Sequence, residues 1–118
     1  MEFVDTQATS NRQRNGWSRP VALPDDLGHS GLTPERGVVT LPVNVFWSGP
    51  DRSWDLENRR QRIQVYEMVL TEGTENDVRR FIDVDELVRL WSALWLPPHV
   101  RSAWSTHLRR LRGVDLAC

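Results

Sequence analysis

The sequence predicts an all-α protein: a small bundle of about four helices with an N-terminal extended arm and a disordered N-terminal tail. Three observations lead there. Residues 83–112 carry apolar side chains at helical spacing, with Val84, Leu87, Val88, Trp91, Leu94 and Trp95 in one run. Val100, Trp104, His107, Leu108 and Leu111 repeat that spacing in the next. Between the runs stands Leu96-Pro97-Pro98. A proline disfavours helical geometry in the residue before it, whereas Pro98 suits the first turn of a new helix, so this tripeptide is a hinge. Two stripes joined in this way should pack on each other and offer a floor to a third helix. Residues 1–37, finally, show neither a helical nor an alternating period.

That first segment is broken by Gly16, Pro20, Pro24, Gly28, Gly31, Pro34 and Gly37. Phe3 and Trp17 are isolated apolar residues, too few to offset the entropy of ordering it, so a disordered tail is expected. A second reading places the native start at Val38 or Val39, since GTG encodes valine and also starts bacterial genes. Recovery of a peptide from residues 1–37 of the native protein would end that reading.

From residue 38 the character changes. Val43, Val45 and Trp47 alternate with Asn44 and Phe46, a strand pattern that Pro42 demotes to an extended arm over 42–48. The arm should pack over the helices, with no second strand to pair with. Residues 48–53 read as a turn. Asp55 then caps a helix from Leu56 to about Thr71 with Leu56, Ile63, Tyr66 and Leu70 on one face. Arg59, Arg60 and Arg62 crowd its first turns, where the helix dipole disfavours cations, so an acidic partner nearby is needed. Gly73 suits the stop. Thr74 with Asp77 forms an approximate capping box opening a helix from Glu75 to Phe81, and Asp83 with Glu86 repeats the device. Gly113 ends the last helix, and residues 114–118 should fray. The domain is therefore expected over 38–113.

Composition excludes several classes. Fifteen basic and sixteen acidic residues leave a net charge of −1, with no global pull on nucleic acid or anionic membrane. Every basic residue is arginine, a mark of GC-rich coding that weakens any case for arginine chosen over lysine at one position. The one cysteine, Cys118, cannot form an intrachain disulfide. No apolar run reaches the length of a membrane span, and cytoplasmic is the default.

Motifs for chemistry are missing too. His99 and His107 are two helical turns apart, not the one turn that grips zinc, and His107 on its apolar stripe reads as a satisfied core histidine. There is no Cys-x-x-Cys, phosphate loop or nucleophile elbow. Tyr66 beside Glu67 reads as a core tyrosine next to a surface glutamate, since adjacent helical residues diverge. A non-enzymatic protein follows, with no cofactor and no metal.

Arginine and tryptophan remain. Arg101, Arg109 and Arg112 share a face of the last helix, and a DNA-binding regulator would use such a face of the 83–112 pair. Asp83, Asp85 and Glu86 lie nearby in sequence, and a solvated, salt-bridged face is the better reading. Tryptophan is the stronger anomaly, with six in the chain. Trp91 and Trp104 are central to their stripes and read as core. Trp47, Trp54 and Trp95 sit at element edges, where an aromatic anchors a partner as readily as it fills a core. Arg79 and Arg80 would then pair with acidic groups on that partner.

From Leu41 to Arg112 the chain resembles a family of small, largely uncharacterised actinobacterial proteins. The resemblance is carried by LPVNVFWSGP, by WDLENRRQRIQVYEMVLTEGTENDVRRFIDVDELVRLW and by LWLPPHVRSAWSTHLRR. Members of that family are encoded beside nucleotidyltransferase-like proteins of the AbiEii toxin type. The resemblance implies the antitoxin-like or accessory half of a toxin–antitoxin pair, with a nucleotidyltransferase-like toxin as partner. It supplies no catalytic motif.

Overall fold

The structure, a computed structural model, describes residues 21–27, 33–46 and 53–116. In chain order these residues form two short strands, β1 (Val38–Thr40) and β2 (Ser53–Asp55), then helices α1 (Arg59–Glu72), α2 (Glu75–Phe81) and α3 (Val84–Leu90). A 3₁₀ turn (Trp91–Ala93) and helix α4 (Pro98–Arg112) complete the order. The architecture is mostly helical, as predicted, but not strictly all-α. β1 and β2 pair antiparallel, Val38 opposite Asp55, Val39 opposite Trp54 and Thr40 opposite Ser53. Among the described residues no helix is long and apolar enough to cross a membrane.

The strand lies earlier than the alternation at 43–47 suggests. Pro42 has no N–H to give a ladder, and its carbonyl accepts from the N–H groups of Val45 (3.0 Å) and Phe46 (3.1 Å), so the chain turns there. Leu41 and Val45 are buried by that turn and Val43 is left exposed. The turn is pinned to α2 by Asn44, whose amide donates to Asp77 Oδ2 at 2.9 Å. Burial alone would raise the Asp77 pKa. The hydrogen bonds from Asn44 and from the Thr74 backbone and hydroxyl outweigh it and hold the carboxyl below its usual range.

Local chemistry explains the helix ends. α1 is capped by Asn58, whose side chain accepts from the Gln61 N–H at 3.1 Å, and not by Asp55. Asp55 instead closes the preceding turn by accepting from the Glu57 N–H at 2.9 Å, which lets Leu56 turn inward before the helix begins. The acid that the basic first turns of α1 require is Glu86 of α3, 2.9 Å from Arg62 Nε, while Arg62 also donates to the Leu56 carbonyl at 2.8 Å. Gly73 ends α1 at φ −79°, so it is not needed for left-handed geometry. It is needed for space: a Cβ there would lie 2.6 Å from the Val69 carbonyl oxygen, a backbone atom that cannot swing away. Gly73→Ala should destabilise the fold by about 1–3 kcal/mol in urea unfolding, and a loss of only a few tenths would mean the turn relaxes freely.

α2 has the bounds the sequence predicts, and its capping box of Thr74 and Asp77 is complete. Asp83 caps α3 by accepting from the N–H groups of Asp85 and Glu86. α3 is shorter than the apolar spacing suggests, because the backbone is already extended at Leu94. Leu96 must be extended before Pro97, and carrying that geometry back to Leu94 buries both leucines. α4 starts with Pro98 in its first turn and ends at Gly113, whose φ of +68° is the left-handed cap. That turn folds Val114 and Leu116 back against the core, partly buried.

One core collects both stripes of the 83–112 pair together with α1 and α2; Val65, Val69, Val78, Leu87, Trp104 and Leu108 are its fully enclosed members. The largest departure from the sequence reading is at the N-terminal side. Residues 21–27, expected to belong to a disordered tail, lie against α2 and α4, with Leu27 inside the core and Pro24 buried. Residues 33–37 follow α2, the Glu35 N–H donating to the Arg80 carbonyl at 2.8 Å. Burial of Leu27 and Pro24 and pairing with distant residues of α2 and α4 hold these segments, and no local pattern reveals either. Residues 1–20, which include Phe3 and Trp17, lie outside the described residues, as do Trp47, 28–32 and Cys118.

Candidate partner-binding surface

Leu94 to Pro97 form a short extended run between two helical elements. Successive side chains of an extended backbone point to opposite sides. Leu94 and Leu96 turn into the core, and Trp95 between them is driven out, 71 % exposed. An indole left in water forgoes roughly 3 kcal/mol of burial, so the position is costly unless something covers it.

The run is held on two flanks. From α1, Glu67 Oε2 accepts the Trp95 N–H at 2.7 Å. From α4, the Arg101 guanidinium stacks 4.7 Å above the Trp91 ring and donates to the Leu94 carbonyl. These contacts fix the backbone that carries Trp95 without using its side chain. An exposed aromatic on a pre-set backbone loses little entropy on binding, the property of an interface anchor. Glu67 and Arg101 are the residues that sequence reasoning missed in this role; a glutamate and an arginine near a proline hinge carry no spacing signal.

The other predicted site residues divide differently. Trp54 lies in β2 and is half-buried, its ring meeting Phe46 edge to face at 5.5 Å. It belongs to the margin of the core. Arg79 and Arg80 find their acids within the chain. Arg79 Nε sits 2.9 Å from Asp26 Oδ1, with Asn76 and Glu75 also in reach at 3.0 and 3.3 Å, and Arg80 pairs with Glu35. The partner groups expected on another molecule are supplied by residues 26 and 35.

The alternative arginine face is also engaged. Arg101 turns inward to the hinge, Arg109 pairs with Asp115 at 2.9 Å, and Arg112 pairs with Asp85 of α3 at 3.3 Å. This is the salt-bridged face that the nearby acids suggest. His107 is buried and satisfied: its Nε2–H donates to the Pro24 carbonyl at 2.7 Å, and its Nδ1 accepts from Arg110 at 2.7 Å.

A second feature is a cleft of about 300 Å³ between residues 33–36, the approach to α1, Phe81 and α3. Glu86 on its wall is held between Arg62 and Arg89, each at 2.9 Å. Tyr66 lines it from below, its hydroxyl oxygen accepting the Asp83 N–H at 3.1 Å. Burial, first, and the charges of Asp83 and Glu86 push the phenol up to about 12, against the hydrogen bond from the Asp83 backbone. At neutral pH it is a protonated, structural hydroxyl. Among the described residues no group of three His, Cys, Asp or Glu side chains gathers as a metal site.

The raised phenol has a pH consequence. The unfolded chain loses this proton near pH 10 and the folded chain only near 12, so between the two the unfolded state binds fewer protons. Stability should therefore fall as pH rises from about 10 to about 12, and Tyr66→Phe should flatten that part of the profile. As Tyr66 is the only tyrosine, its tyrosinate absorbance reports this one group. Titration at the ordinary tyrosine value in the folded protein would show the phenol to be in water.

No family model matches the chain, and neither does any curated protein or solved structure.

Proposed function

We propose that this chain is a non-enzymatic partner-binding protein that docks through the hinge carrying Trp95. The observation that supports this reading is the tryptophan itself, 71 % exposed on a backbone that Glu67 and Arg101 hold in place. From the family it resembles, the partner is a nucleotidyltransferase-like toxin of the AbiEii type, and this chain is the antitoxin-like or accessory member of the pair. The DNA-binding alternative has less support, because Arg101 is turned to the hinge and Arg109 and Arg112 already face carboxylates.

The test is co-purification of the full chain with a nucleotidyltransferase-like protein of the AbiEii type, followed by affinity measurement for Trp95→Ala. An interface anchor of this kind should cost at least ~2 kcal/mol in binding, about thirtyfold in Kd, with the far-UV helical signal unchanged. Loss of that helical signal would assign Trp95 to the fold. Unchanged affinity in a folded variant would remove the hinge from the interface.

A further inference from the structure

Residues 23–27, Leu-Pro-Asp-Asp-Leu, are held by features that read a peptide residue by residue. The Leu27 side chain enters the core. The Pro24 carbonyl receives the His107 Nε2–H at 2.7 Å. Asp26 meets Arg79 of α2 with Nε 2.9 and 3.1 Å from its two oxygens, and Asp25 meets Arg110 of α4 at 3.3 Å. One apolar anchor, one backbone acceptor and two carboxylates are thus each matched by a separate group on two helices.

Those groups are held independently of the segment. Arg79 is steadied on its own helix by Asn76 at 3.0 Å and Glu75 at 3.3 Å. Arg110 donates to His107 Nδ1 at 2.7 Å, an arrangement that also fixes the imidazole with its other nitrogen toward Pro24. The receptor face is pre-organised, which lowers the cost of binding any matching segment.

The segment's two ion pairs are the weaker part of its hold. The Asp25 and Asp26 side chains are 84 and 45 % exposed, and ion pairs so exposed contribute little net stability. Leu27, the Pro24 hydrogen bond and the partly buried Val21, Ala22 and Leu23 retain it, and its covalent tether adds to them by acting as a high local concentration. An element of this kind opens at lower free energy than the core beneath it.

We propose that the face α2 and α4 present to residues 23–27 is a docking site for short acidic segments of a protein partner. The chain's own Leu-Pro-Asp-Asp-Leu is its resident occupant, and the partner's segment takes its place. The inference rests on the reading that the chain binds a protein partner, but neither on Trp95 nor on that partner's identity. Opposite charge favours this occupant: Arg79 and Arg110 both direct cationic groups at it.

The test uses a fluorescent peptide with the sequence of residues 21–27 and the full chain, with no toxin present, so its failure is separable from failure of the Trp95 hinge. Asp25→Asn/Asp26→Asn loosens the resident segment in the intact chain. The peptide should bind this variant about threefold more tightly than wild type, and Arg79→Ala added to it should reverse the gain. Equal, weak affinity for both chains would overturn the proposal. A second measurement covers a variant that fails to fold. In isotope-labelled wild type, saturating unlabelled peptide should move the resonances of residues 21–27 to unstructured values while those of Trp104 and Leu108 stay folded. If residues 21–27 release only when the whole chain unfolds, they are a permanent part of the core and the face is not a docking site. Concentration-dependent dimerisation through exchange of this segment would give the face to a second copy and likewise overturn the proposal.

Discussion

Trp104→Ala is expected to lower the free energy of unfolding by about 3–5 kcal/mol, measured by urea titration. The indole is completely enclosed, stands at the centre of α4 and meets the His107 ring edge to face at 5.3 Å. Removing it leaves a cavity walled by residues already held in place by other contacts, so collapse recovers little. A small domain has only about 5–15 kcal/mol to lose, and the variant should be largely unfolded at modest urea. Trp104→Phe separates the two parts of the indole. Among the described residues its Nε1–H has no acceptor, so the polar edge brings no hydrogen bond and the phenyl ring retains most of the burial. The phenylalanine variant should lose less than half as much. A loss below ~1 kcal/mol for alanine would mean that the core closes over the gap.

His107→Leu should cost about 2–4 kcal/mol although the side chain keeps a similar volume. The leucine fits the apolar stripe, and a purely hydrophobic account would have it stabilise the protein. Yet the Pro24 carbonyl, in a buried residue, would lose its donor, and Arg110 would lose the nitrogen that orients it. A buried acceptor left without a donor costs on the order of 1–3 kcal/mol by itself. Combining His107→Leu with Arg110→Ala tests the account, because the two residues form one network. Their effects should fall short of additive by at least ~0.5 kcal/mol. Full additivity would mean the imidazole acts through packing alone.

What could be read from the sequence was what short-range chemistry fixes. The Thr74–Asp77 box, the Asp83 cap, the Pro98 start and the Gly113 stop all act within a few residues, and each stands where the sequence places it. Trp91 and Trp104 were legible as core because their stripes are long enough to show a period. The β1–β2 pair was not, since three residues cannot establish alternation. Trp95 was legible as an edge aromatic, while its outward direction depends on where α3 gives way to extended chain. Trp54, open in the sequence between core and interface, meets Phe46 from the turn after β1, a contact that no spacing signals. Arg79 and Arg80 were recognised as seeking acids, but the acids are Asp26 and Glu35, 53 and 45 residues away. Pairing over such separations leaves no trace in composition or period.

The same separations bear on how the chain is made. Contacts within and between neighbouring helices close short loops and form early, whereas Pro24 with His107 and Asp25 with Arg110 span 83 and 85 residues. Synthesis runs from the N-terminus, so residues 21–27 leave the ribosome long before α4 exists to receive them. Throughout that interval Leu27 and its two aspartates are a free acidic segment, and any surface of matching chemistry meets them before their own fold does. The joint between residues 21–27 and α4 can close only once α4 has been made.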